Sequence, residues 1–419
     1  MGSIKNQAYF PCAVRLARGA RNAGKLALLG ACGFLLVSLH PQELRHVAGV
    51  VNVEVPVRVF DGERFVDGLT LKDFEVFENG KPQKIVALYL IRKATIQKEE
   101  TSGPAAARPA PKTGRTIVLQ FEVLDPMPKL DEALDFFFDQ VLEPEDSLTV
   151  ITPRATYRFK PEALARLPRQ EIARQLKDKL RKDILAGAIE YKRLLGEIRD
   201  VGKMSVDPDL KLHLLADIAR QLRDRIGIDP ASLRRFAQAL RALEGQKYVF
   251  LFYEKELIND ASSSFGNFGD ESLPPEERAL GDMGAGEADR SPDVAPKSIE
   301  RIFSDASITA HFIYLTQSKM NAAGLDAELQ AGGGAPPTKD MSASLYNLFR
   351  EMAHTTGGIS ESSGNPFSAF RKAVTASENY YLLYYSPAGY QADGKFREIK
   401  VAVTGRRFRV TNRAGYFAN

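Results

Sequence analysis

Between Val47 and Lys93 apolar and polar residues alternate: VAGVVNVEVPVRVF, then a turn at DGER, then FEVFENGKPQKIVALYLI. A period of two, broken by Asp-Gly and Asn-Gly, predicts antiparallel strands with tight turns. The C-terminal end shows the same habit in NYYLLYYSP, a turn near ADGK, FREIKVAV and RRFRVTNRAGYF. Neither end is large enough to be secure alone. Residues 47–93 and 378–419 are therefore expected to share one small antiparallel β unit.

The middle of the chain reads differently. A stretch rich in Pro, Ala and Gly, residues 94–114, suits an extended tether. Beyond it, continuous apolar runs alternate with helical patterns, which predicts an α/β layer fold over residues 115–377. TIVLQF, KYVFLFY and ITAHFIYLT have the composition of strands covered on both faces, and DSLTVIT and ATYRFK read as two more. The fold class expected is α/β with a mainly parallel, doubly wound sheet. Residues 161–244 form a long helical insertion: Ile172, Leu176, Leu180 and Ile184 step by four, as do Leu214, Ile218, Leu222 and Ile226. Leu233, Phe236, Leu240 and Leu243 make a further stripe. Residues 259–296 and 320–339 are rich in Gly, Pro and Ser and are expected to be disordered loops.

Composition changes the picture at one end only. The 419 residues are 44% hydrophobic and 26% charged, with a formal charge of +4. So small an excess, with cations and acids mixed along the helices, gives no reason to expect a nucleic-acid partner. In residues 1–40, however, Lys5, Arg15, Arg18, Arg21 and Lys25 precede an apolar run from Leu26 to Leu39. That layout is an export signal. The run is shorter than the ~20 residues that span a bilayer, so membrane contact is expected only through this segment, if it is retained. Both cysteines, Cys12 and Cys32, fall inside it. Cys32 ends a loose lipoprotein-like LGAC, and a processed chain would carry no thiol chemistry.

Three stretches carry a resemblance: DGLTLKDFEVFENGKPQKI ahead of the strand–helix core, HTTGGIS, and the ending YYLLYYSP, DGKFREIKVAV and NRAGYF. Together they resemble the bacterial VWFA-related domain family, whose core is like a von Willebrand factor type A domain. The resemblance implies flanking β segments, a type A-like sheet, and a role in binding proteins rather than catalysis. Type A domains often hold a divalent cation through Asp-x-Ser-x-Ser after the first strand. Aligned on that motif, IVLQFEVLDPM places Glu122 at the Asp, Leu124 at the first Ser and Pro126 at the second. A hard cation wants oxygen ligands, and neither Leu nor Pro offers a side-chain oxygen. On the later strand, where the family tends to have Ser-Asp-Gly, this chain has Tyr253, Glu254 and Lys255, and a lysine adds repulsion at a cation's seat. The expectation is a degenerate site with no metal and no cofactor. A cluster of Glu122, Asp125 and Glu254 is the alternative, since Ca²⁺ accepts irregular shells.

Enzyme chemistry finds little support. TTGG at Thr355–Gly358 lacks the lysine of a phosphate loop, and the serine of YYSPAGY lacks the Gly-x-Ser-x-Gly pattern. His354 is a lone imidazole near a helix end. The sequence thus leads to an exported, non-enzymatic module that binds an unidentified protein partner. Asp125, Lys129, Glu254 and Lys255 form the expected surface, because α/β sheets bind at strand carboxyl ends. Two alternatives are an envelope scaffold whose helical insertion makes the contacts, and cation-dependent adhesion through the acidic cluster.

Overall fold

A computed structural model of the protein describes residues 51–102, 111–226, 230–254, 296–316, 341–405 and 407–419. The leader with its two cysteines, Lys255, residues 320–339 and all but the last residue of 259–296 lie outside the described residues.

The N-terminal part holds β1 (Val53–Asp61), β2 (Arg64–Phe65), β3 (Phe74–Glu78), β4 (Lys81–Gln83), β5 (Ile85–Arg92) and β6 (Thr95–Thr101). The core contributes β7 (Arg115–Glu122), β8 (Ser147–Ile151), β9 (Thr156–Phe159), β10 (Gln246–Glu254), β11 (Ile308–Leu315) and β12 (Ser360–Ser363). The C-terminal part adds β13 (Asn379–Tyr385), β14 (Phe396–Val403), β15 (Arg409–Asn412) and β16 (Gly415–Phe417). The helices are α1 (Pro128–Phe136), extended by a π turn, α2 (Pro161–Leu164), α3 (Arg169–Lys203), α4 (Pro208–Ile226), α5 (Pro230–Arg241), α6 (Pro296–Asp305), α7 (Met341–Thr355) and α8 (Pro366–Glu378).

These strands build three sheets, and the expectation of a mainly parallel, doubly wound sheet with one small β unit is corrected. Two sheets are antiparallel: β15-β1-β13-β5-β6, with β2 added on β1, and β16-β14-β3-β4. Together they contain more strands than the third, which is mixed, in the order β12-β11-β10-β7-β8-β9. Its parallel pairings stop at β8, because Thr152 closes a tight turn onto Ala155 and sends β9 back antiparallel. Apolar runs do not encode strand direction; the length of the connection does.

Alternation sends successive side chains to opposite faces, and in β1, β5 and β13 both faces are buried, the second of β5 and β13 in a cluster of Ala87, Tyr89, Ile91, Tyr380, Leu382 and Tyr384. Val53, Val55, Val57 and Val59 of β1 share a core with Tyr381 and Leu383 of β13, Phe74 and Val76 of β3, and Ile399 and Val401 of β14. Asn79 and Gly80 both take positive φ, 48° and 77°, as a two-residue hairpin turn requires. The stretch read as a tether begins with a paired strand, β6 against β5.

Two further cores lie on the two faces of the mixed sheet. One takes alternate residues of β7 and β10 with α1 and α8, the other the opposite set with α5, α6 and α7. Helix α3, 35 residues and so ~50 Å long, serves both. Ile172, Leu176, Leu180 and Ile184 join the first core, while Tyr191, Leu194, Ile198 and Val201 join the second with α4. In α4 the buried stripe is Leu215, Ile218, Ala219 and Leu222, and Leu214 lies on the exposed side. Leu243 falls beyond the end of α5 and is also exposed.

Candidate functional site

The carboxyl ends of β7 and β10 lie side by side, with Tyr253 opposite Glu122. Glu254 follows and is fully buried. One of its carboxylate oxygens accepts the backbone N–H of Leu124 at 2.5 Å and that of Asp125 at 3.3 Å. A buried amide without an acceptor costs about 1–3 kcal/mol, so Glu254 holds the β7–α1 loop in place. Glu122, 8% exposed, accepts from the side-chain amide of Gln120 at 3.1 Å. Leu124 turns into the core, Asp125 is exposed, and Lys129 pairs with Glu132 on its own helix at 2.7 Å. The structure therefore joins Glu254 to the backbone of Leu124 and Asp125. Among the described residues no group of three or more His, Cys, Asp or Glu side chains has the arrangement of a metal site.

Beside this loop lies a pocket of about 200 Å³, lined by Pro126, Met127, Leu130, Leu180 and Ile184, with Asp131 and Arg181 at its rim. It exists because α3 passes the end of the sheet on its way between the two faces. Asp183 takes hydrogen bonds from Thr152 Oγ1 (2.8 Å) and the Tyr157 hydroxyl (2.7 Å), tying α3 to the β8–β9 turn. Burial, then the bonded carboxylate, pushes the Tyr157 phenol well above its usual range. Arg181 and Lys177 of α3 pair with Asp131 and Asp135 of α1, at 2.9 and 2.6 Å. The periodicity of α3 showed its apolar stripe, but nothing local told that the stripe would meet the sheet end.

The opposite end of the mixed sheet is a polar joint with the antiparallel sheets, and sequence reasoning missed it. The signal was present as ionisable residues inside apolar strands: Glu54 and Arg58 in β1, Lys247 in β10 and His311 in β11. Glu54 accepts from Gln246 Nε2 (2.7 Å) and from the Tyr384 hydroxyl (2.8 Å). Arg413 donates to Ser307 Oγ and to the Glu54 carbonyl, both at 2.6 Å, and Lys247 donates to the Ala306 carbonyl at 3.2 Å. Burial lowers the Lys247 pKa, with Glu54 acting against that shift and Arg413 adding to it. Arg115 and Asp146, 7% and 1% exposed, close a two-pronged ion pair at 2.9 and 2.5 Å.

The HTTGG stretch also belongs to this joint. Thr356 Oγ1 accepts the Ala310 N–H at 3.0 Å, and Ala414 N–H donates to the Thr355 carbonyl at 2.8 Å. Gly357 has φ +77° and lies against the Asn412 backbone, while a Cβ on Gly358 would stand 1.9 Å from the Ala310 carbonyl oxygen. Glycine is required there by close backbone approach.

His311 is buried against the Phe250 ring at 4.8 Å. Its Nδ1 accepts the Ile359 N–H at 3.3 Å, which assigns the ring proton to Nε2, 2.7 Å from Ser377 Oγ. Ser377 in turn donates to the Ala373 carbonyl. Burial, helped by the charge of Arg58, pushes the imidazole pKa down to about 3. A serine facing a protonated nitrogen has no base to activate it.

No family model, curated protein or solved structure matches the chain.

Proposed function

We propose that this chain is an exported, non-enzymatic module that binds a protein partner at the carboxyl end of its mixed sheet. The observation that carries the reading is the pocket between the β7–α1 loop and α3. Its lining is mostly apolar, with two charged groups, Asp131 and Arg181. Its volume suits one large side chain of a partner, and interfaces concentrate their energy in such anchors. The loop that forms its wall is held by a carboxylate, so the surface is pre-organised. The engagement of Glu254 by backbone amides is in keeping with recognition rather than ion-dependent adhesion. Kinship with the VWFA-related family is part of the same proposal. It rests on the two end motifs, and HTTGG and residues 411–415 lie together at the joint.

The scaffold reading has one observation in its favour. Around the α3–α4 turn Met204, Val206, Leu210 and Leu214 are exposed, and Leu185 and Ile189 are exposed on α3.

Affinity capture from an envelope fraction, with identification of the bound protein and titration of its purified form, separates the two. Binding is expected to fall at least tenfold for Met127→Glu and Arg181→Glu and to survive Leu210→Ser with Leu214→Ser. The reverse pattern, with circular dichroism showing every variant folded, makes the helical hairpin the contact and overturns the pocket.

A further inference from the structure

Arg58 is 1% exposed, in the middle of β1 on the face turned toward the mixed sheet. A guanidinium has five N–H donors and stays protonated at any working pH. Its hydrogen bonds to described residues are two long ones, to the Gly357 carbonyl at 3.3 Å and to Thr309 Oγ1 at 3.5 Å. The rings of Tyr248 and Tyr380 lie 5.9 and 5.6 Å from its central carbon. Its Nε–H meets no acceptor, and the Tyr380 hydroxyl is also buried and unpartnered.

The charge around it is unbalanced in the same sense. Arg58, Lys247 and Arg413 are all buried in this joint, against two carboxylates, Glu54 beside Lys247 and Arg413 and Asp305 beside Arg413. Lys247 and Arg413 rest on neutral carbonyl and hydroxyl oxygens. A buried cation without a counter-charge is strongly unfavourable, and tyrosine faces offset only part of that.

We propose that the joint binds a small monovalent anion, of the chloride class, at the Nε side of Arg58, with the Tyr380 hydroxyl as a second donor. A halide fits because it is compact, accepts hydrogen bonds from any direction and asks for no acceptor in return. The site is separate from the partner-binding pocket, and neither proposal depends on the other.

The test is thermal unfolding of the full chain in sodium chloride and in sodium gluconate of equal ionic strength. With chloride about tenfold above its dissociation constant, the midpoint should rise by roughly 2 °C. The Arg58→Met variant should lose that difference. Crystals grown with bromide provide a measurement on the unaltered chain, where an anomalous peak is expected within hydrogen-bonding distance of Arg58 Nε. Equal midpoints in the two salts, a difference that persists in Arg58→Met, or a bromide map without a peak at Arg58 would each overturn the proposal.

Discussion

The two ends of the mixed sheet handle charge in opposite ways. At the carboxyl end the ion pairs between α1 and α3 are partly exposed, with Arg181 58% and Asp131 34% accessible. At the amino end Arg58, Arg115, Lys247 and Arg413 are sealed between sheets. Exposed pairs contribute little because water screens them, so that surface is free to change and to meet a partner. Buried charges must keep every contact, which fits the joint to hold the molecule together.

Breaking the Arg115–Asp146 pair is the sharpest way to test this contrast. Asp146→Ala leaves a buried guanidinium and removes the acceptor for the Glu143 N–H, so unfolding free energy should drop by about 3–5 kcal/mol. Urea denaturation reads that loss, and an effect below the size of a surface mutation would put the joint on a par with the other end. Next in size is Glu254→Ala, which strands the Leu124 amide and should remove about 1–3 kcal/mol. Glu254→Gln keeps an acceptor and should lose less. With Glu122 this residue qualifies the comparison, since both are buried carboxylates at the end whose ion pairs are exposed.

Acid reports on the joint as well. The imidazole of His311 has a folded pKa of about 3 against an ordinary 6.5, so the unfolded chain binds the proton first. Its contribution is complete above pH 6.5 and is lost as pH falls toward 3. The slope is about 1.4 kcal/mol per pH unit well below 6.5. Urea midpoints for the parent and His311→Gln between pH 7 and 5 should converge as pH falls; parallel curves would show that this ring does not titrate on unfolding. The smallest effect belongs to Arg181→Ala, expected to change stability by less than about 1 kcal/mol while weakening partner capture. A larger loss of stability would show that the α1–α3 seam is structural.

The candidate pocket was legible only in part: Pro126 lines it, Asp125, Lys129 and Glu254 do not, and Lys255 lies outside the described residues. Leu124 and Pro126 put no side-chain oxygen where the resemblance would place two serines, and Pro126 and Met127 of the loop after β7 line the pocket. What Glu254 does there was not visible, because its partners are backbone amides 130 residues away in the chain. Arg58 and Glu54 stand at polar positions in the β1 alternation, and both are covered for a reason the pattern does not carry. Alternation says that two faces differ, and it is silent on what covers the second one. Leu214 shows the same limit in a helix, where a spacing of four fitted two stripes and packing chose Leu215.

By itself the sequence determined the local matters: which runs become strands or helices, and where Asn79-Gly80 turns the chain. These depend on backbone dihedrals and side-chain periodicity within a few residues. Tertiary structure alone decided that β9 runs back, that the terminal strands divide between two sheets, that α3 reaches both faces, and that four cations are sealed at one end. Those outcomes depend on contacts between residues far apart in the chain, where burial and the pairing of buried charge choose among patterns that are locally equivalent.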